Sequence, residues 1–345
     1  MHSVRRLSFI VAALAATTGS LQAQSVAEFY KGKTITIVIG YTPGGGYDAY
    51  ARLLARFIGS HIPGEPKVLA ENRPGAGSRT AVNYLYNVAP KDGTVLATAD
   101  QSLPLEQALG DKTLTFDTSK FNWIGNMSAD NNVVMIWAAS GIKTIADVQA
   151  KEIAIGATGG STSSQYPKAM NALLGTKFKL ILGYPGGNDI NFAMEKGEVD
   201  GRGSNSWASV KGTRPDWLRD KKINILVQIG PKKAADLPDV PLLSDLGKTD
   251  EDKTVLRLLS SPVGVGRPIF GPPGIPADRV AALRKAFDET MQDPQFLAAA
   301  KQQGLDVTPV SGADVEKTVK DIFAASEAAK KTLGSIFEGA DPGAK

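Results

Sequence analysis

The 345-residue chain has no cysteine and two histidines, His2 and His61. Without cysteine there is no disulfide, no thiol nucleophile and no lipid-anchored cysteine at a cleavage site, so stability rests on burial. His2 falls in a segment expected to be removed. His61 is left alone in a Ser-His-Ile-Pro-Gly stretch that reads as the exposed loop ending the first helix. A Ser-His-Asp triad, a Cys-His pair and a His-rich zinc site all need residues that are missing. Carboxylate-only chemistry needs clustered Asp and Glu, and no acidic cluster has the required spacing. The expectation is no catalytic residue, no metal and no cofactor. No stripe of Lys and Arg interleaved with aromatics is present either, which argues against nucleic acid.

Long apolar runs are also scarce. The one near the start, residues 7–16, follows Arg5 and Arg6 and precedes small and polar residues, the order of a secretory signal. Cleavage after Ala23 is expected, with cleavage after Ser20 as the other option. That run is too short to span a bilayer, and no later stretch reaches roughly 18 apolar residues. The mature chain is therefore expected to be soluble and exported. Its formal charge falls from +4 to +2, because the leader carries two arginines and no acid. About 320 remaining residues exceed what a single core usually holds, so two domains are expected.

What is abundant is glycine at strand ends. The β-branched run 35–39 meets Tyr41-Thr42-Pro43-Gly44-Gly45-Gly46-Tyr47-Asp48, then a helix in which Tyr50, Leu53, Leu54, Phe57 and Ile58 share a face. Three glycines permit positive φ and close approach of a ligand to the main chain, and the free amides of the helix start make an anion site. Asp48 is placed to favour the helix dipole and to pair with Arg52 one turn on. Taken alone, such a corner is also the ordinary joint of any α/β domain.

The alternation of strand and helix continues. Strand 67–71 leads to Glu71-Asn72-Arg73-Pro74-Gly75-Ala76-Gly77-Ser78, with Ser78 as N-cap of the next helix. Strand 94–98 leads to Asp100-Gln101-Ser102. Strands 121–125 and 133–138 follow, and the crossing into a second domain is placed near residues 138–141. There the pattern restarts with strand 152–156, the loop Ala157-Thr158-Gly159-Gly160-Ser161-Thr162-Ser163-Ser164 and a helix ended by Gly175. Strand 178–182 leads to Gly183-Tyr184-Pro185-Gly186-Gly187-Asn188-Asp189, which repeats the Tyr, Pro-Gly-Gly and Asp of the first corner, either by chance or because both domains face one cleft. Strand 199–201 precedes Arg202-Gly203-Ser204-Asn205-Ser206. Arg202 reads either as a bidentate partner for a carboxylate or as a surface arginine. Strand 223–229, strand 263–269, helices from Asp278 and Pro294, and a helical close over 315–337 complete the chain. The fold class is α/β: two lobes, each a mostly parallel sheet flanked by helices, with a ligand cleft between them. Residues 24–138 with 255–345 form lobe 1, and 139–254 form lobe 2.

Five separated motifs in one order, Pro43-Gly44-Gly45-x-x-Asp48-x-x-Ala51-Arg52, Glu71-Asn72-Arg73-Pro74-Gly75-Ala76-Gly77, Pro90-Lys91-Asp92-Gly93-Thr94, Leu237-Pro238-Asp239-Val240-Pro241 and Pro272-x-Gly274-x-Pro276, resemble the Bug, or TctC-type, receptors of tripartite tricarboxylate transporters. The resemblance covers nearly all of the mature chain. It implies a non-enzymatic periplasmic solute-binding protein, acting as a monomer, that closes on a small organic acid and delivers it to integral membrane permease subunits. It also implies that backbone amides and small hydroxyls of one loop per lobe hold a carboxylate, often through waters. On matching positions these are Thr42, Gly45, Gly46, Tyr47 and Asp48 in one lobe and Thr158, Gly159, Ser161, Thr162 and Ser163 in the other. Asp189 and Arg202 join the candidate set from the third corner and the strand end beyond it.

Two departures from the family pattern stand out. Ser78 replaces a usual glycine, and Gly46-Tyr47 replaces smaller or proline-containing residues. Tyr47 is expected either to stack on an aromatic acid or to narrow the pocket. The rival readings are an exported enzyme using Asp48 or Asp189 on an acidic small molecule, and a sensor subunit presenting its ligand to a membrane kinase.

Overall fold

The computed structural model describes residues 24–339, and the expected leader over 1–23 lies outside them. In chain order the strands are β1 (Thr34–Ile39), β2 (Lys67–Asn72), β3 (Val95–Thr98), β4 (Asn122–Asn126), β5 (Asn132–Trp137), β6 (Ile153–Gly156), β7 (Phe178–Ile181), β8 (Gly201–Ser206), β9 (Ile223–Ile229), β10 (Pro268–Gly271) and β11 (Val310–Ser311). They form two sheets, in the orders β11-β4-β10-β3-β1-β2 and β7-β6-β8-β5-β9. In the first, β1 runs parallel to both β2 and β3, and β10 inserts antiparallel between β3 and β4. In the second, β6 runs parallel to β7 and β8, and β5 inserts antiparallel between β8 and β9. The result is the two-lobed α/β fold expected from the strand-helix alternation.

Strand β1 shows why the sheets need helices on both faces. Ile35, Ile37 and Ile39 bury one face along its length, and Val38 buries the other at its carboxyl end, where Thr34 and Thr36 have given way to apolar residues. The helix Gly46–Phe57 covers one side with Tyr50, Ala51, Leu53 and Leu54. One apolar cluster runs through both sheets, joining Val38 and Phe270 of the first to Ile136 and Ile155 of the second, with Leu85, Tyr166, Leu256, Leu259 and Leu333 of the helices Arg79–Asn87, Thr162–Leu174, Asp250–Ser260 and Glu327–Gly339.

Sheet membership moves the crossing. The chain leaves the first sheet after Asn126 and enters the second at Asn132, upstream of the expected 138–141, and returns between β9 and β10. An apolar run such as Val133–Ile136 reads the same in either sheet, and only its pairing with β8 and β9 decides.

Four other expectations change. Residues 201–206 form a strand rather than a loop beyond one. The expected strand 263–269 shrinks to Pro268–Gly271 behind a 3-10 turn at Ser261–Gly264, where Pro262 and the positive φ of Gly266 oppose extension. The helical close divides into Gly312–Phe323 and Glu327–Gly339. His61 is half-buried and not a free loop residue: its Nε2 lies 3.3 Å from Asp293 Oδ2.

Candidate functional site

The carboxyl ends of β1, β6 and β8 meet where the two sheets face each other. The first corner is held from within by Asp48. Its Oδ2 accepts the Gly44 N–H at 3.0 Å, and its Oδ1 accepts Arg52 Nε at 2.9 Å and Asn72 Nδ2 at 2.8 Å. Asn72 also donates to the Tyr41 carbonyl at 2.9 Å. The expected Asp48–Arg52 pair is present, but Asp48 is spent on the turn and does not line the cavity. Gly45 occupies the N-cap with no side-chain cap, so the first-turn amides of Gly46 and Tyr47 have no protein acceptor.

The second corner is also self-bonded. Ser161 Oγ donates to the Thr158 carbonyl at 2.9 Å, and Ser163 Oγ accepts the Thr158 N–H at 2.9 Å. Ser161 and Ser164 form a capping box over the helix Thr162–Leu174. These hydroxyls rigidify the loop, leaving it fewer free donors than its composition promises. Thr158, Ser161, Thr162 and Ser163 line the cavity. Gly159 does not. Its carbonyl and that of Gly160 lie against Gly77, where a Cβ would strike both oxygens.

The third corner meets the first across the cleft. Thr42 Oγ1 donates to Asp189 Oδ2 at 2.6 Å, so both residues join the lobes rather than line the cavity. The helix Gly187–Glu195 starts here, and Gly187 is packed against the Arg202 guanidinium.

Eight of the twelve expected residues, Gly45, Gly46, Tyr47, Thr158, Ser161, Thr162, Ser163 and Arg202, share one cavity of about 480 Å³, its mouth included. Tyr41, Asp100, Asn132, Gly187, Ser204, Asn205, Ser206 and Arg267 complete the lining. Arg267, just before β10, and Asn132 escaped the sequence reading. Arg267 stands between the buried Val265 and Ile269, a charge in an apolar stretch that already marked an unusual environment.

Tyr47 resolves its own ambiguity. One face stacks on Tyr41, with ring centres 4.9 Å apart, and the Arg267 guanidinium lies over its ring, 4.2 Å from the centre. Its hydroxyl accepts the Gln101 N–H at 3.0 Å. The ring therefore narrows the pocket and does not offer a face to an aromatic ligand. Burial, and then the charge of Asp100, raise its phenol, which keeps its proton.

The electrostatics are cationic. Arg202 Nη1 donates to the Gly187 carbonyl and to Asn191 Oδ1, both at 3.2 Å, and Arg267 Nη2 donates to Ser209 Oγ at 3.1 Å. The Nε of each arginine is shielded from water and has no partner. Burial and then the charge of Arg267 push the Arg202 guanidinium down to about 9, so it stays protonated near neutrality. Asp100, the carboxylate in the lining, accepts from the Tyr41 hydroxyl and from Ser102 N–H and Oγ. Among the described residues no group of three or more His, Cys, Asp or Glu is placed to hold a metal, and no helix is long and apolar enough to cross a membrane.

A family model described as the tripartite tricarboxylate transporter family receptor matches residues 52–334. A Cupriavidus necator protein described as "UPF0065 protein in gbd 5'region" is 28% identical over 306 residues, 86% of each chain. The solved periplasmic binding protein BugD superposes with a TM-score of 0.70 at 19% identity, covering 90% of this chain and 98% of that one. MatC from Rhodopseudomonas palustris, solved with bound malate, superposes with a TM-score of 0.68 at 18% identity, covering 88% and 99%.

Proposed function

The chain belongs to the tripartite tricarboxylate transporter receptor family, and from that premise we propose that it is a periplasmic solute-binding protein. It captures a small organic carboxylate between its lobes and delivers it to the permease subunits of such a transporter. The leader directs export, and the receptor works as a monomer. The observation that carries the reading is the cavity itself: the guanidinium groups of Arg202 and Arg267 and the free first-turn amides of Gly46 and Tyr47 line one cleft. Each is a donor, and a buried anion needs several. The malate bound by MatC is an acid of this kind.

The mechanism is closure without chemistry. A ligand that touches both lobes only when they meet binds the closed form better than the open one, and that difference in affinity shifts the population. Three hydrogen bonds between the lobes support such closure: Thr42 with Asp189, Arg267 with Ser209, and Gln165 Nε2 with Glu106 Oε1 at 2.5 Å. Asp48 and Asp189, the carboxylates an acid-base enzyme would draw on, are committed, the first to its own turn and the second to Thr42 across the cleft, which favours binding over turnover.

The test is a thermal-shift and calorimetric screen of ligand-free mature protein against organic acids and their matched amides. An acid at a hundredfold its Kd should stabilise by about 2.7 kcal/mol, and the amide should not. Equal shifts with acids and amides, or none with any acid, would overturn carboxylate capture.

A further inference from the structure

We propose that Arg202 and Arg267 form a second anion subsite, assembled from both lobes, that takes a second acidic group of the ligand, so that the protein selects diacids over the corresponding monoacids. This rests on the carboxylate-capture reading and sharpens it. The two guanidiniums occupy equivalent places. Arg267 Nη2 lies 3.5 Å from where a Cβ of Gly46 would stand, at the helix start of the first corner. Arg202 packs against Gly187, at the helix start of the third. Only Gly187 is required for this: a Cβ there would strike the Arg202 guanidinium, whereas one on Gly46 would meet Arg267 at ordinary contact distance.

Among the described residues neither arginine forms an ion pair; the charge of Arg267 acts on the Asp130 carboxyl, which is itself bonded to the Ala208 N–H and the Ser206 hydroxyl. Arg267 is only 5% exposed, yet its guanidinium meets a serine hydroxyl and the ring of Tyr47. Arg202 meets a carbonyl and an asparagine amide. The carboxylate in the lining, Asp100, already accepts three hydrogen bonds from Tyr41 and Ser102. The hydrogen bonds of the buried Arg267 and the half-buried Arg202 thus go to neutral oxygens, with the Nε–H of each left over. Buried arginines are ordinarily paired, and the planar guanidinium matches a carboxylate two bonds at a time. One acidic group held by the corner amides leaves this pair uncompensated. A second group on the same ligand supplies the missing charge.

The arrangement also makes closure depend on ligand charge. Arg202 belongs to β8 of the second sheet, and Arg267 leads into β10 of the first. Closing the cleft brings like charges together, and the charge of Arg267 acts on Arg202 in the closed form. A diacid turns that repulsion into a bridge, whereas a monoacid leaves part of it standing.

The experiment is calorimetry on the mature protein with butanedioate, pentanedioate and hexanedioate, each beside its half-amide, for the natural chain and for Arg202→Gln and Arg267→Gln. The best diacid should bind at least tenfold tighter than its half-amide. Each variant should collapse that ratio towards one, the diacid losing much more than the half-amide. The melting temperature of the ligand-free variants, measured alongside, should be equal to or above that of the natural chain, because an uncompensated cation has been removed. Half-amides binding as tightly as diacids to the natural chain would overturn the second subsite while leaving carboxylate capture intact. A variant that loses both ligands equally, or that melts well below the natural chain, would make the arginine a structural residue and overturn it too. Failure of every acid and half-amide to bind would overturn both readings together.

Discussion

Thr42 Oγ1 and Asp189 Oδ2, 147 residues apart in the chain, meet at 2.6 Å across the cleft. Thr42 precedes the first Pro-Gly-Gly and Asp189 follows the second, so the two similar corners are each other's docking surface. The bond exists only when the lobes are together. Thr42→Val should therefore weaken ligand binding by about fivefold, the equivalent of roughly 1 kcal/mol for one such bond. The ligand-free melting temperature should change little. An unaltered Kd by calorimetry would show that the contact contributes nothing to closure.

Gly46, rather than its neighbour Gly45, is the tight position of the first corner. A Cβ on Gly46 would strike the Ser209 side chain of the opposite lobe, whereas one on Gly45 would find its nearest atom, the Asn188 amide nitrogen, at 3.8 Å. Gly46→Ala should lower affinity by roughly tenfold or more, since overpacking costs about 1 to 3 kcal/mol. Gly45→Ala should cost less. Small-angle scattering provides the second reading: ligand-induced compaction should be impaired in Gly46→Ala, and full compaction would refute the steric account.

Glu106 makes stability depend on pH. Burial raises its carboxyl to about 7, with Arg79 pulling the other way. Arg79 divides its charge between Glu106 at 2.7 Å and Asp111 at 2.6 Å, so burial prevails. Between the ordinary value of 4.5 and about 7, the folded chain keeps a proton that the unfolded chain releases. Stability must then fall as pH rises through that window and level off above it. The expected loss is on the order of 3 kcal/mol. Urea melts from pH 4.5 to 8 should show this slope, and Glu106→Gln should flatten it. A variant with the same slope as the natural chain would assign the dependence to another group.

Ser78 holds a φ of +74°, a left-handed backbone that explains why glycine is expected there. It does not cap the helix Arg79–Asn87, as the sequence suggested. Its Oγ accepts the Asp100 N–H at 3.2 Å, which fixes the loop at the end of β3. Ser78→Ala should destabilise by about 2 kcal/mol, because the buried amide loses its acceptor and the strain stays. Ser78→Gly loses the acceptor but relieves the strain, and should cost roughly half as much. Chemical denaturation of both variants decides. Equal losses would show that the backbone strain is immaterial.

Much of the fold and part of the site were legible in one dimension. The β-branched run of β1, the glycine corners and the apolar helix faces are local signals, set by backbone sterics and by periodic burial. They placed the corners at the right strand ends, and eight of the twelve named residues line the cavity. Sequence also foresaw the Asp48–Arg52 pair, because residues four apart on a helix must meet. Tertiary structure decided which sheet β5 joins, since apolar runs carry no label for their partners. It left Asp48, Gly159, Thr42 and Asp189 outside the cavity lining, in the turn and in contacts between lobes, because a hydrogen-bonding group serves whatever partner folding brings nearest. It also brought Arg267 beside Gly46 and gathered Arg202 into the same cavity. A guanidinium such as that of Arg267, buried with no ion-pair partner among the described residues, is a property of three dimensions, and no local pattern in the chain encodes it.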